Sequence, residues 1–281
     1  MSIESDGDPT TAYAVALRLS RWEILVRTGR SVRDDLHMTV NIAELNRLAV
    51  LGLEALTNLL ASGTADQHAP ATEDSRPFQI GWGMVAALHR QAAAVVVLHS
   101  QGLGHEAAPN RRLMVEYVAH LQWLVRDGEN AVDSMNKAHQ FKHTGLRKAA
   151  DDGGYQYDAE AADAVRDAVI PSNPANTYNG TSNLLGSLGG GLLESWLGET
   201  QLSHATLTAA GSFYEETDDA FRLFLAPTYG SIEGDPMEKS PYVAFFFLFF
   251  GMIAFNNLMV GSPWTNDLKA IGDAAGLAGA I

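Results

Sequence analysis

The chain has 281 residues, enough for one large domain or two small ones, and hydrophobic residues make up 46% of it, as in globular proteins. Cysteine is absent, which excludes disulfides and thiolate metal sites. A formal net charge of −14 repels nucleic acid from the surface as a whole.

Residues 1–11 read as a disordered N-terminus. The segment is acidic and polar, without the basic and apolar regions of a secretory signal, so a cytoplasmic location is expected. Residues 12–281 read as a single all-α domain, a multi-helix bundle of eight to ten helices. A helical pattern covers 12–26. Another follows Asp34 and Asp35 and runs through Leu45, Leu48, Leu51, Leu56 and Leu59, with the spacings of three and four that mark a helix. Residues 62–77 are a loop by composition. A helix over 79–100 stops at Gln101-Gly-Leu-Gly104.

Pro109 and Asn110 mark the next helix start, with Asn110 as the expected cap. This helix carries Arg112 and Glu116 among Leu113, Met114, Val115, Tyr117, Val118, Leu121, Trp123, Leu124 and Val125. A helix apolar nearly all round is expected to be buried nearly all round. A charged pair within it costs desolvation, so it needs a structural or a chemical reason.

Asp127-Gly128 separates this helix from one over about 130–150. The latter carries a basic patch at 137–148: Lys137, His139, Lys142, His143, Arg147 and Lys148. A solvated face with cations near a helix C-terminus explains the patch better than an RNA contact. His139 and His143 have the spacing of a helical metal pair. However, Gln140 stands where a zinc protease needs Glu, and lysines flank the pair. Glu116 and His120 lack the spacing of a di-iron bundle. No metal and no cofactor are expected.

Asp158 precedes a short helix to Val169, and 170–183 is a loop. Residues 184–224 read as helix broken at Gly189-Gly190-Gly191 and at Gly198, since mid-helix glycines cost about 1 kcal/mol each. A loop over 226–240 leads to the apolar run 242–260. That run is shorter than a membrane span, is interrupted by Asn256-Asn257 and lacks a flanking basic cluster. It is expected to be an inner bundle helix, or the contact with a protein partner in a homo-oligomer. A weak helix follows Pro263. No strand is expected, because no stretch alternates with period two.

Thr200 and His204 form a second polar pair, with Glu199 and Ser203 beside them. If both helices face one interior, His204 meets Glu116 or Arg112 and supplies a group that exchanges protons near neutral pH. No nucleophile elbow, phosphate loop or dinucleotide fingerprint is present.

The order and spacing of Arg112-Leu-Met-Val-Glu116 with Trp123, then Trp196 and Thr200-Gln-Leu-Ser-His204, resemble the DUF5677-like family of bacterial helical proteins. The resemblance covers roughly residues 80–215. That family more often has Ser at the place of Thr200 and Tyr at the place of Trp196. Its activity is not established, so it implies a fold and a polar constellation without a mechanism. A looser resemblance is to HEPN-type helical domains, some of them RNases of defence and toxin systems. Arg112 to His120 and Arg90 to His99 are both too long for their Arg-x(4–6)-His signature. The expected function is binding or assembly around a buried cluster of Arg112, Glu116, Thr200 and His204. The alternative is a metal-independent RNase or other hydrolase using His204 and Glu116.

Overall fold

A computed structural model describes residues 41–62, 68–216, 221–227 and 239–277. The N-terminal segment 1–11, the helix expected over 12–26 and most of the 226–240 loop lie outside the described residues. Ten α-helices and one small hairpin are described, so the fold is an all-α bundle. In chain order the helices are α1 (Ile42–Ser62), α2 (Arg76–Ser100), α3 (Ala108–Asp127), α4 (Glu129–Gly153), α5 (Ala159–Asp167), α6 (Thr181–Leu188), α7 (Gly190–Ser203) and α8 (Leu207–Gly211). Strands β1 (Tyr214–Glu216) and β2 (Phe221–Leu223) follow, then α9 (Ser240–Asn256) and α10 (Thr265–Ala274).

The apolar run forms α9, the centre of the bundle, packed on α1, α2 and α3. Its aromatic rings interlock: Phe245 stacks on Phe249 at 5.7 Å and Phe246 meets Phe250 at 4.6 Å. Such pairs add to burial. Gly52 of α1 lies under the Phe245 ring, and Gly251 of α9 lies against Leu88 of α2, so glycines set the approach of α9 to both neighbours. The helix ends where Asn256, 3% exposed, turns inward. Its Oδ1 accepts from the Trp264 amide at 2.8 Å and its amide donates to Thr265 at 3.0 Å. The amide that interrupts the apolar run is therefore a buried link to α10.

Among the described residues one helix, α2, is long and apolar enough to cross a membrane by length and composition. Val85, Leu88, Ala92 and Val95 of this helix are buried in the core. α9, with 17 residues, falls short of the roughly 20 that a span needs. The segment before α2 is strapped to the end of α9, with the Ala71 amide on the Leu258 carbonyl and the Val260 amide on Ala69.

α3 packs against α2, α9, α7 and α6. It is not covered on all sides as expected, because Leu113 and Val125 are exposed. Asn110 does not cap it. The helix begins at Ala108, and the Asn110 amide instead donates to Gln91 of α2 at 2.7 Å. Gly128, at φ 55°, turns the chain into α4, of which only the first two turns are buried. Its far half packs on α5, where Gln140 donates to the carbonyls of Val165, Arg166 and Ala168 at the end of that short helix.

Of the three adjacent glycines only Gly189 breaks the chain. Its φ of 130° is open to glycine alone, whereas Gly190, Gly191 and Gly198 lie within α7. The stretch to 224 does not stay helical. β1 and β2 pair antiparallel with Glu215 opposite Arg222. Strands of three residues are too short to show alternation, which is why none was expected.

Candidate functional site

The N-terminal half of α3 and one face of α7 meet along a polar seam. It contains two arginines with different roles. Arg111 is 1% exposed. Its Nε donates to Glu199 Oε1 at 2.8 Å, and its Nη1 donates to the Gly104 carbonyl at 2.7 Å and to Ser240 Oγ at 2.9 Å. One guanidinium thus joins the loop after α2, helix α7 and the first residue of α9. Planar, always charged and rich in donors, arginine suits such a junction.

Arg112 points to the outer side of the seam. It pairs with Glu116 at 3.1 Å, and the two side chains are 25% and 22% exposed. Its guanidinium lies over the Trp196 ring at 5.2 Å, and Trp196 Nε1 donates to Glu116 Oε1 at 2.7 Å. The three side chains close a triangle between α3 and α7. One Glu116 oxygen thereby takes both partners. The Arg112 Nε and Glu199 Oε2 atoms are buried and have no hydrogen-bond partner among the described residues.

Thr200 donates back to the Trp196 carbonyl at 2.6 Å, and Ser203 donates to Glu199 in the same way. Both hydroxyls are spent on their own helix, as is common for Ser and Thr within helices. His204 is the first residue after α7. Its backbone is extended and its side chain exposed. The structure therefore brings Arg112, Glu116 and Trp196 together, places Thr200 behind Trp196, and leaves His204 outside. The expected interior cluster of four does not form, because α7 ends one residue too early to carry His204 along the seam.

Arg111 was not among the expected residues, yet a signal for it existed. Positions three, four and seven further on are Met114, Val115 and Val118, all buried. That is the core stripe of α3, so Arg111 belongs to it. Arg112 has Glu116 at the fourth position and belongs to the edge.

His120 lies one turn beyond Glu116, with Nδ1 2.7 Å from the Glu116 carbonyl. Burial holds its pKa below the ordinary histidine value, the Glu116 carbonyl and charge oppose this, and Lys142 adds to the lowering. His89, 3.0 Å from Thr57 between α1 and α2, is likewise lowered by burial and by Arg90. Both rings favour the neutral form in the folded chain. On acidification the unfolded chain takes up protons first, so this stability is complete above pH about 6.5 and is lost as pH falls through the folded values. Urea unfolding between pH 8 and 5 is expected to show falling stability below about 6.5. His120→Gln is expected to flatten that slope, and an unchanged slope would count against a buried neutral ring.

Among the described residues no three of His, Asp and Glu gather as a metal site. His139 and His143 lie 5.8 Å apart between ring centres on α4. The basic patch is partly neutralised. Lys137 donates to Ser172, and Arg147 engages Asp163 and Tyr157. No family model, curated protein or solved structure matches the chain.

Proposed function

We propose that this chain is a cytoplasmic binding and assembly protein in which the α3–α7 seam fixes the frame rather than performing a reaction. The single observation behind this reading is that the seam's ion pairs and hydrogen bonds join α3 to α7 and α9. Arg111 serves three elements, and Glu116 Oε1 serves Trp196 and Arg112. The tryptophan N–H and the guanidinium together hold the Glu116 carboxylate in place between α3 and α7. His204, the candidate acid or base, stands exposed beyond the helix. The resemblance to the DUF5677-like family, carried by Arg112 and Glu116 with Trp123 and by Trp196, Thr200 and His204, belongs to the same proposal.

A two-part experiment tests this. A double-mutant cycle on Glu116→Gln and Trp196→Phe is expected to show a stability coupling of about 0.5–3 kcal/mol. In parallel, the purified chain is incubated with single-stranded RNA and with a chromogenic phosphodiester. No turnover is expected. Turnover that disappears in Glu116→Gln and in His204→Ala would replace the binding reading with the hydrolase.

A further inference from the structure

Beyond the seam, the described residues of 205–216 and 222–225 present several exposed apolar side chains and an open strand edge. Leu207, Tyr214, Leu223 and Leu225 are exposed, Leu207 at 90% and Leu223 at 82%. Ala205, Leu207, Ala209, Ala210 and Phe213 line an open groove of about 500 Å³. Among the described lining residues the one hydroxyl, that of Thr206, is spent on the Gln201 carbonyl and the Ala209 amide. The groove ends at Phe213, one residue before β1.

The hairpin has two strands of three residues, and all of β1 is exposed. A two-stranded ribbon alone is marginal in water and needs a third strand or a cover. Its register shows which groups would pair with one. The Phe224 amide donates to the Phe213 carbonyl at 2.9 Å. Hydrogen-bonded pairs alternate along an antiparallel ladder, so 213 with 224 and 215 with 222 are the bonded pairs. The amides and carbonyls of Tyr214 and Glu216 therefore point away from β2. Among the described residues no strand pairs with that edge.

Charge selects the occupant. Glu215 reaches Arg222 only at 3.9 Å, and Glu216 has no ion pair among the described residues. A second copy adding β1 to β1 about a two-fold axis would set glutamates against glutamates, and adding β2 to β2 would set Arg222 against Arg222. Like charges across strands are destabilising. Joining β1 to β2 of another copy would match the charges but generate an open filament.

We propose that the outer edge of β1 binds an extended peptide of alternating basic and aliphatic residues as a third strand. Its backbone pairs with Tyr214 and Glu216, its cations lie on the face that carries Glu216, and an aliphatic side chain enters the groove before β1. This mode takes affinity from main-chain bonds and specificity from alternate side chains. It names the partner chemistry for the binding reading above and rests on it.

The test uses the full chain and two labelled peptides, one of alternating Lys and Val and one of alternating Glu and Val, followed by fluorescence anisotropy. The Lys-Val peptide is expected to bind and the Glu-Val peptide not to. Glu216→Pro removes an outward amide without touching the β1–β2 ladder. It is expected to weaken binding about tenfold or more, through the lost bond and the ring's bulk. Replacing Glu215 and Glu216 together by Lys is expected to reverse the preference between peptides. Deuterium exchange at the Tyr214 and Glu216 amides is expected to slow when the Lys-Val peptide is added. The proposal is overturned by no binding of that peptide, by binding indifferent to Glu216→Pro, or by self-association that Glu216→Pro abolishes. The last result would assign the edge to a second copy. Any of these, with the Glu116–Trp196 coupling intact and no turnover, removes the peptide and leaves the binding reading standing. Hydrolysis at the seam removes that reading itself.

Discussion

Arg111→Ala is expected to destabilise the chain by about 3–5 kcal/mol, the cost of breaking a buried pair from one side. Among the described residues, the bonds to Glu199, Gly104 and Ser240 are lost at once. The larger penalty falls on what remains. Glu199 is 16% exposed, and its second oxygen already lacks a partner, so the whole carboxylate is left unpaired. The neighbouring Arg112→Ala is expected to cost about 1 kcal/mol or less, because that guanidinium is partly solvated and Glu116 keeps its bond from Trp196. Adjacent residues of the same type thus differ severalfold in effect. Urea midpoints measured with unchanged m-values decide it. A loss at Arg111 no larger than at Arg112 would show that the three bonds do not hold the junction. Replacing Arg111 by Met and Glu199 by Leu together is expected to recover most of the loss, since an apolar pair of similar volume carries no desolvation debt.

Helical periodicity made the all-α class legible, because spacings of three and four survive in the sequence whatever packs against them. The seam was legible only in part. Arg112 and Glu116 are recognisable as a pair because both lie on one helix, four residues apart. Arg111 finds its partners 88 and 129 residues away, and such distances leave no local pattern. The sequence points His204 to the interior because it lies four residues after Thr200, a spacing that holds only while the helix continues. The chain is already extended at His204, and Thr206 caps the next short helix by accepting from the Ala209 amide. Asn256 shows the opposite case. An amide that seemed to interrupt an apolar run is buried, because Trp264 and Thr265 return to meet it. The hairpin leaves no mark in the sequence, because three residues per strand are too few for a period of two.

Leu88→Ala and Gly251→Ala are expected to be costly singly and partly compensating together. In an ideal geometry a methyl group added at Gly251 would collide with Leu88 Cδ2 and would come within 3.3 Å of Leu121 Cδ1. Leu88 and Leu121 are both fully buried, and α2, α3 and α9 all meet there. Overpacking such a site costs about 1–3 kcal/mol, and helix propensity returns up to about 1 kcal/mol of it. Leu88→Ala alone opens a cavity and is expected to cost about 2–5 kcal/mol. In the double variant the new methyl group occupies part of the space the leucine leaves. The combined loss is therefore expected to fall short of the sum by about 0.5–3 kcal/mol. Gly83→Ala supplies the control. Gly83 lies on the exposed side of α2 with nothing within 4 Å of the added carbon, so the same change there is expected to stabilise by up to about 1 kcal/mol. Thermal or urea unfolding of the four chains reads all of these. Strict additivity of the Leu88 and Gly251 changes would mean that α9 does not approach α2 through this glycine. The central position of α9 would then need another explanation than the close contact of its one mid-helix glycine with α2.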